Sequence, residues 1–208
     1  MFEGPDAKDK EEDKKAEPPK TPPEPPPPPK RFVSKHSGSF GGRRLAYTAT
    51  ASETHMKDAA GKPRASIFSI AYARDGERDP ARRPVTFLFN GGPGSASLWL
   101  HLGVFGPRRL QVPSDARSAG SAPFPLVDNP LCPLDLTDLV FIDPVGTGYS
   151  RPIGEAKAEE FWGLDVDATT TAEFIQRWLT DNKRWASPLY IGGESYGTTR
   201  ISEARATA

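Results

Sequence analysis

Three short apolar runs in this chain each break directly into a glycine-rich turn. Val85-Thr86-Phe87-Leu88-Phe89 leads into Asn90-Gly91-Gly92-Pro93-Gly94-Ser95. Leu139-Val140-Phe141-Ile142 leads into Asp143-Pro144-Val145-Gly146-Thr147-Gly148-Tyr149-Ser150. Leu189-Tyr190-Ile191 leads into Gly192-Gly193-Glu194-Ser195-Tyr196-Gly197. The first two runs are apolar without alternation, the pattern of strands buried on both faces. Such strands belong to a parallel sheet covered by helices, and their turns gather at its carboxyl edge, where ligands bind.

The segment between the second and third runs reads as a helix over about Asp165 to Arg184. Ala168, Ala172, Ile175 and Leu179, with Trp178 alongside, recur at three- and four-residue spacing. Acidic residues open the helix, and Lys183 and Arg184 are expected at its end, where they would complement the dipole. Strand, helix and strand from Leu139 to Ile191 then form a βαβ unit. Upstream, Leu45, Tyr47, Ala49 and Ala51 alternate with smaller or polar residues, and Ile67 to Tyr72 makes a second strand ended by Asp75-Gly76. These two are expected to pair as an antiparallel hairpin, joined by the polar stretch Ser52–Arg64.

Residues 1–31 are of another kind. They hold ten of the 23 prolines and fifteen of the 54 charged residues, but only four apolar ones, Met1, Phe2, Ala7 and Ala16. A mixed-charge run from Lys8 to Lys15 cannot bury enough apolar surface to order itself. Pro18 to Pro29 cannot enter helix or sheet and favours polyproline II. The expectation is a disordered tail over 1–31, with 18–29 as a candidate SH3- or WW-type ligand, followed by one domain over 32–208. No stretch approaches the length of an apolar membrane helix, and the N-terminus shows no apolar leader segment. A formal net charge of zero gives no general attraction to nucleic acid. The lone Cys132 excludes an internal disulfide and a cysteine zinc site, and reads as a small, semi-buried side chain. Nothing in the sequence requires a metal or a cofactor.

Gly193-Glu194-Ser195-Tyr196-Gly197 fits the G-x-S-x-G elbow, in which a serine sits on a strained strand-to-helix corner with its hydroxyl above the sheet. Side chains two positions away would collide with neighbouring backbone, and Gly193 and Gly197 remove that collision. A serine nucleophile also needs N–H donors aimed at a developing oxyanion. Gly92, in a turn shaped by two glycines and a proline, and Tyr196, next after the serine, are the candidates. A phosphate loop is excluded, since no Gly-Lys-Ser/Thr follows the first turn. Gly146-Thr147-Gly148 lacks the third glycine of a dinucleotide fingerprint.

Taken together and in this order, the three motifs resemble the serine carboxypeptidases, peptidase family S10, over about Arg44 to Arg200. The resemblance implies an α/β fold, the N-terminal half of an α/β-hydrolase sheet with an antiparallel hairpin leading into parallel strands. It implies Ser195 as acylating nucleophile, the amides of Gly92 and Tyr196 as oxyanion hole, Asn90 and Glu194 as the pair that binds the substrate's terminal carboxylate, and a peptide as substrate. A carboxylate can hydrogen-bond Glu194 only if one of the two is protonated, so that role requires a raised pKa.

Several features depart from the family pattern. Ser95 and Ala96 stand where many members have Cys-Ser, and Val104-Phe105-Gly106-Pro107 where many have Glu-Leu-Gly-Pro; both point to a bacterial-type member. The triad order Ser, Asp, His requires an acid and a base after the nucleophile. Neither Asp nor His occurs after Ser195, and His36, His55 and His101 all precede it. His101 is read as a surface histidine of a helix or loop, not as the base. The expectation is a truncated or frame-shifted product with little activity, whose elbow strand becomes an unpaired sheet edge. Two rival readings are a proline-iminopeptidase-like hydrolase and a non-catalytic fragment with an interacting tail. Asn90 and Glu194 weigh against the first. The family is often exported, but this sequence leaves the compartment open.

Overall fold

A computed structural model describes residues 25–206, apart from positions 114, 116 and 119. The tail reading therefore lies outside the described residues over 1–24; Pro25–Lys30 is in neither helix nor strand. Nine strands and two α-helices follow: β1 (Arg31–Phe40), β2 (Arg43–Lys57), β3 (Pro63–Arg74), β4 (Val85–Phe89), β5 (Arg108–Leu110), β6 (Leu126–Asp128), β7 (Asp138–Ile142), β8 (Arg151–Pro152), α1 (Leu164–Asp181), β9 (Leu189–Gly193) and α2 (Tyr196–Ala206). A π-helical segment, Trp99–Phe105, follows the first glycine turn.

The main sheet runs β1-β2-β3-β7-β4-β9, with β8 paired to β3. β1, β2, β3 and β7 are antiparallel neighbours, whereas β4 is parallel to both β7 and β9. Register places Phe87 beside Val140 and Ile191, and Leu88 beside Phe141 and Gly192. Because β4 and β7 are central, alternate side chains enter opposite cores. Val85, Phe87, Phe89, Val140 and Ile142 pack with Phe174, Ile175 and Leu179 of α1. Leu88, Leu139 and Phe141 pack with Phe40, Leu45, Tyr47 and Leu134 on the other face. This is the physical origin of the unbroken apolar runs. Burying one such phenylalanine contributes roughly 1.5–3 kcal/mol. Among the described residues β9 pairs only with β4 and forms the sheet's edge, and Leu189, Tyr190 and Ile191 are exposed on it.

The structure extends and corrects the sequence reading at four places. β2 and β3 continue through most of Ser52–Arg64, so the connection is only the short turn around Asp58–Lys62. β1 was not anticipated; it lies antiparallel to β2 with nearly every side chain exposed, so it carries no alternation to read. Helix α1 stops at Asp181, and Arg184 does not serve its dipole. Instead Arg184 is buried and donates to Asp138 Oδ2 at 2.7 Å, while Arg83 Nε donates to Asp138 Oδ1 at 2.8 Å. The two guanidiniums also reach Arg83 O and Leu134 O, tying the amino ends of β4 and β7 to the approach to β9. Cys132 is fully buried rather than semi-buried, and burial pushes its thiol up to about 12.

Candidate active site

The three glycine turns meet at the carboxyl ends of β4, β7 and β9. The third turn carries Ser195 between β9 and α2 with a backbone φ of +54°. A left-handed conformation at a residue with a side chain costs of order 1–3 kcal/mol and persists only where its surroundings enforce it. Its neighbours are matched to it. A Cβ on Gly193 would lie 2.6 Å from the carbonyl of Gly197, so only glycine fits. Ser195 itself is exposed, and the amides of Gly197 and Thr198 close the first turn of α2 onto Glu194 O and Ser195 O.

The first turn lies directly against this elbow. A Cβ on Gly91 would stand 2.5 Å from both Glu194 O and the amide nitrogen of Tyr196, so backbone meets backbone there. Asn90 is buried at the end of β4. Its Oδ1 accepts the amide of Leu100 at 3.1 Å, and its Nδ2 donates to Glu194 Oε2 at 3.3 Å. Glu194 is exposed, so Asn90 holds it at the solvent side of the elbow. Gly92 is exposed beyond Asn90. Asn90, Gly92, Glu194, Ser195 and Tyr196, the five residues singled out in the sequence, thus occupy two adjoining turns.

The second turn is tied to the first through Asp143. Its Oδ1 accepts the amide of Ser97 at 2.9 Å and its Oδ2 that of Tyr149 at 3.4 Å. Burial raises the Asp143 carboxyl, opposed by these two N–H donors. Ser97 Oγ in turn donates to Ile142 O, and Ser150 Oγ to Asp143 O at 2.6 Å.

Beneath the elbow lies Arg200, which the motif reading did not single out. It is 1% exposed. Its Nη1 donates to Asn90 O at 3.0 Å, and Nε and Nη2 reach Asp167 Oδ2 of α1 at 2.9 and 2.8 Å. Its guanidinium carbon stands 5.0 Å from the Phe89 ring centroid and 5.4 Å from that of Tyr196. The only clue in the sequence was a charge on the helix expected to be buried behind the elbow. A cavity of about 400 Å³ opens beside it, lined in part by Gly94, Thr147, Trp162, Asp167, Tyr196 and Arg200. Burial, with Asp167 second, raises the Tyr196 hydroxyl.

His101 was expected at the surface and is buried instead. Its Nε2 hydrogen-bonds the Tyr72 hydroxyl at 2.8 Å, and its ring packs 4.5 Å from that of Phe141. Burial lowers it to about 4. Among the described residues no hydrogen bond joins a histidine to Ser195, and no group of three or more His, Cys, Asp or Glu gathers as a metal site.

A mixed sheet with a left-handed serine at the turn from a parallel strand into a helix defines an α/β-hydrolase-like fold. The serine carboxypeptidase family model matches residues 62–205, and the chain belongs to that family. Serine carboxypeptidase-like 20 of Arabidopsis thaliana is 29% identical over 128 residues, which is 60% of this chain and 24% of the relative. The pheromone-processing carboxypeptidase KEX1 of Cryptococcus gattii is 32% identical over 138 residues, 65% of this chain and 19% of the relative. The crystal structure of Kex1(delta)p, a prohormone-processing carboxypeptidase from Saccharomyces cerevisiae, superposes with a TM-score of 0.59 at 22% identity. That match covers 78% of this chain and 34% of the other. The chain spans about a quarter of the length of the curated relatives it matches.

Proposed function

We propose that Ser195 is the acylating nucleophile of a serine-type carboxypeptidase that acts on the C-terminal end of peptides. The observation that carries this reading is the strained, exposed Ser195 set against the Asn90–Glu194 pair. In the proposed reaction Ser195 Oγ adds to the last peptide carbonyl as its proton passes to a base. The amides of Gly92 and Tyr196 stabilise the oxyanion, the C–N bond breaks with protonation of the leaving amine, and water then cleaves the acyl-enzyme. Asn90 and Glu194 are read as the site of the substrate's free carboxylate. That requires a proton shared between Glu194 and the substrate. Ser95, Ala96 and Val104 further support a bacterial-type member.

Among the described residues no histidine hydrogen-bonds Ser195, so acylation by residues 1–208 alone is expected to be slow and turnover slight. A serine hydrolase without its base retains the part of catalysis due to oxyanion hole and binding. The test is a fluorophosphonate probe followed by intact mass and peptide mapping. Ser195 Oγ displaces fluoride at phosphorus and loses its proton to solvent. Slow modification confined to Ser195, absent from Ser195→Ala and competed by N-blocked peptides with a free C-terminus, is the expected result. Modification spread over other serines, or competition by C-blocked peptides only, contradicts the reading; the latter favours an aminopeptidase-type hydrolase.

A further inference from the structure

We infer that Arg200 is a positioning residue that fixes the distance between the two oxyanion donors, an inference that rests on the reading of Ser195 as nucleophile. The donors lie on separate segments. Gly92 belongs to the turn after β4, and Tyr196 begins α2. The β4–β9 ladder ends at Phe89 and Gly193, and beyond it, apart from the backbone packing of Gly91 on the elbow, what holds one donor to the other is limited. The Glu194 amide reaches Phe89 O at 3.4 Å, and the Asn90–Glu194 side-chain bond, only part-buried, is 3.3 Å long. Such long bonds tolerate movement.

Arg200 supplies a shorter, charge-assisted tie beneath both. Every partner of its guanidinium, apart from its anchor Asp167, flanks one of the donor peptides. Phe89 and Asn90 lie just before Gly92, and Tyr196 carries the other donor itself. The planar fork can take Asp167 and the Asn90 carbonyl at once while its faces lie against two rings. A lysine, with one compact charge, can satisfy Asp167 but cannot hold this set. An arginine that only joined α2 to α1 would need Asp167 alone. The contact with Asn90 O is the extra one, and it lies on the strand end that leads to Gly92.

The test uses the whole chain, labelled with ¹⁵N, and phenylboronic acid. Ser195 Oγ adds to the trigonal boron and its proton leaves to solvent. The boron becomes tetrahedral, with its negative charge beside the oxyanion donors. In the wild type the amide resonances of Gly92 and Tyr196 are expected to shift together on saturation. Arg200→Lys is expected to melt within a few degrees of wild type, yet to bind the boronate at least about tenfold more weakly, with the Gly92 shift diminished. Asp167→Asn, which loosens the guanidinium without removing it, should lie between the two. Wild-type affinity and wild-type shifts in Arg200→Lys overturn the inference. So does loss of the fold in that variant, since the arginine then holds the structure and not the donors. A wild type that forms no adduct at Ser195 refutes the nucleophile reading itself and takes this inference with it.

Discussion

Asn90 and Glu194, 104 residues apart in sequence, are joined by a single hydrogen bond of 3.3 Å from Nδ2 to Oε2. The two ends of this bond differ in kind. Asn90 is buried and also accepts the Leu100 amide, so it anchors the π-helical segment to β4. Glu194 projects into solvent.

Removing the two side chains should therefore have unequal costs. Asn90→Ala strands the Leu100 amide and should lower stability by about 1–3 kcal/mol. Glu194→Gln should stay within about 0.5 kcal/mol of wild type. Urea unfolding followed by circular dichroism measures both, and equal losses would contradict this division.

Asp138 is shared by two buried guanidiniums, so Asp138→Ala leaves Arg184 without its counter-charge and Arg83 with only the longer contact to Glu77 at 3.8 Å. Breaking a buried pair from one side costs about 3–5 kcal/mol. The expected outcome is a variant unfolded or close to it at 37 °C, read from its thermal melt.

His101 gives stability a pH dependence of known sign. Burial depresses its pKa to about 4 in the folded state, against about 6.5 for the free side chain. The unfolded chain therefore binds more protons between these values. The contribution of His101 is complete above about pH 6.5 and is lost as pH falls toward about 4, a change of about 3 kcal/mol. Unfolding free energies across this range should fall with acid in the wild type and flatten in His101→Gln, which can still bond Tyr72 but does not titrate.

Gly91→Ala places a Cβ against Glu194 O and the Tyr196 nitrogen. Neither atom can move without shifting the elbow. Fluorophosphonate modification of Ser195 should fall by at least about tenfold, with the melt much less affected. A wild-type labelling rate would mean that the elbow accommodates the methyl group.

The exposed edge of β9, with Tyr190 and Ile191 on it, favours pairing between molecules. Sedimentation velocity should show association that grows with concentration, and Tyr190→Lys should reduce it. A monomer at all concentrations would count against this.

The parallel strands and their turns were legible because β4 and β7 are buried on both sides and glycine marks each sharp exit. The same local signals could not show β1, whose residues before Phe40 nearly all face solvent and whose place is set by pairing with β2. Nor could they show that Arg184 and Arg200, both at ordinary helix positions in the sequence, turn inward. Their partners Asp138 and Asp167 lie 46 and 33 residues away, and only the folded chain brings those charges within reach. His101 was misplaced for the same reason: Tyr72, 29 residues earlier, supplies its buried partner.

The backbone at Ser195 sits in a conformation that a free peptide would abandon. Reactivity of that hydroxyl is then a local gauge of how tightly the surrounding turns are clamped. On gentle warming it should fade before the sheet itself gives way.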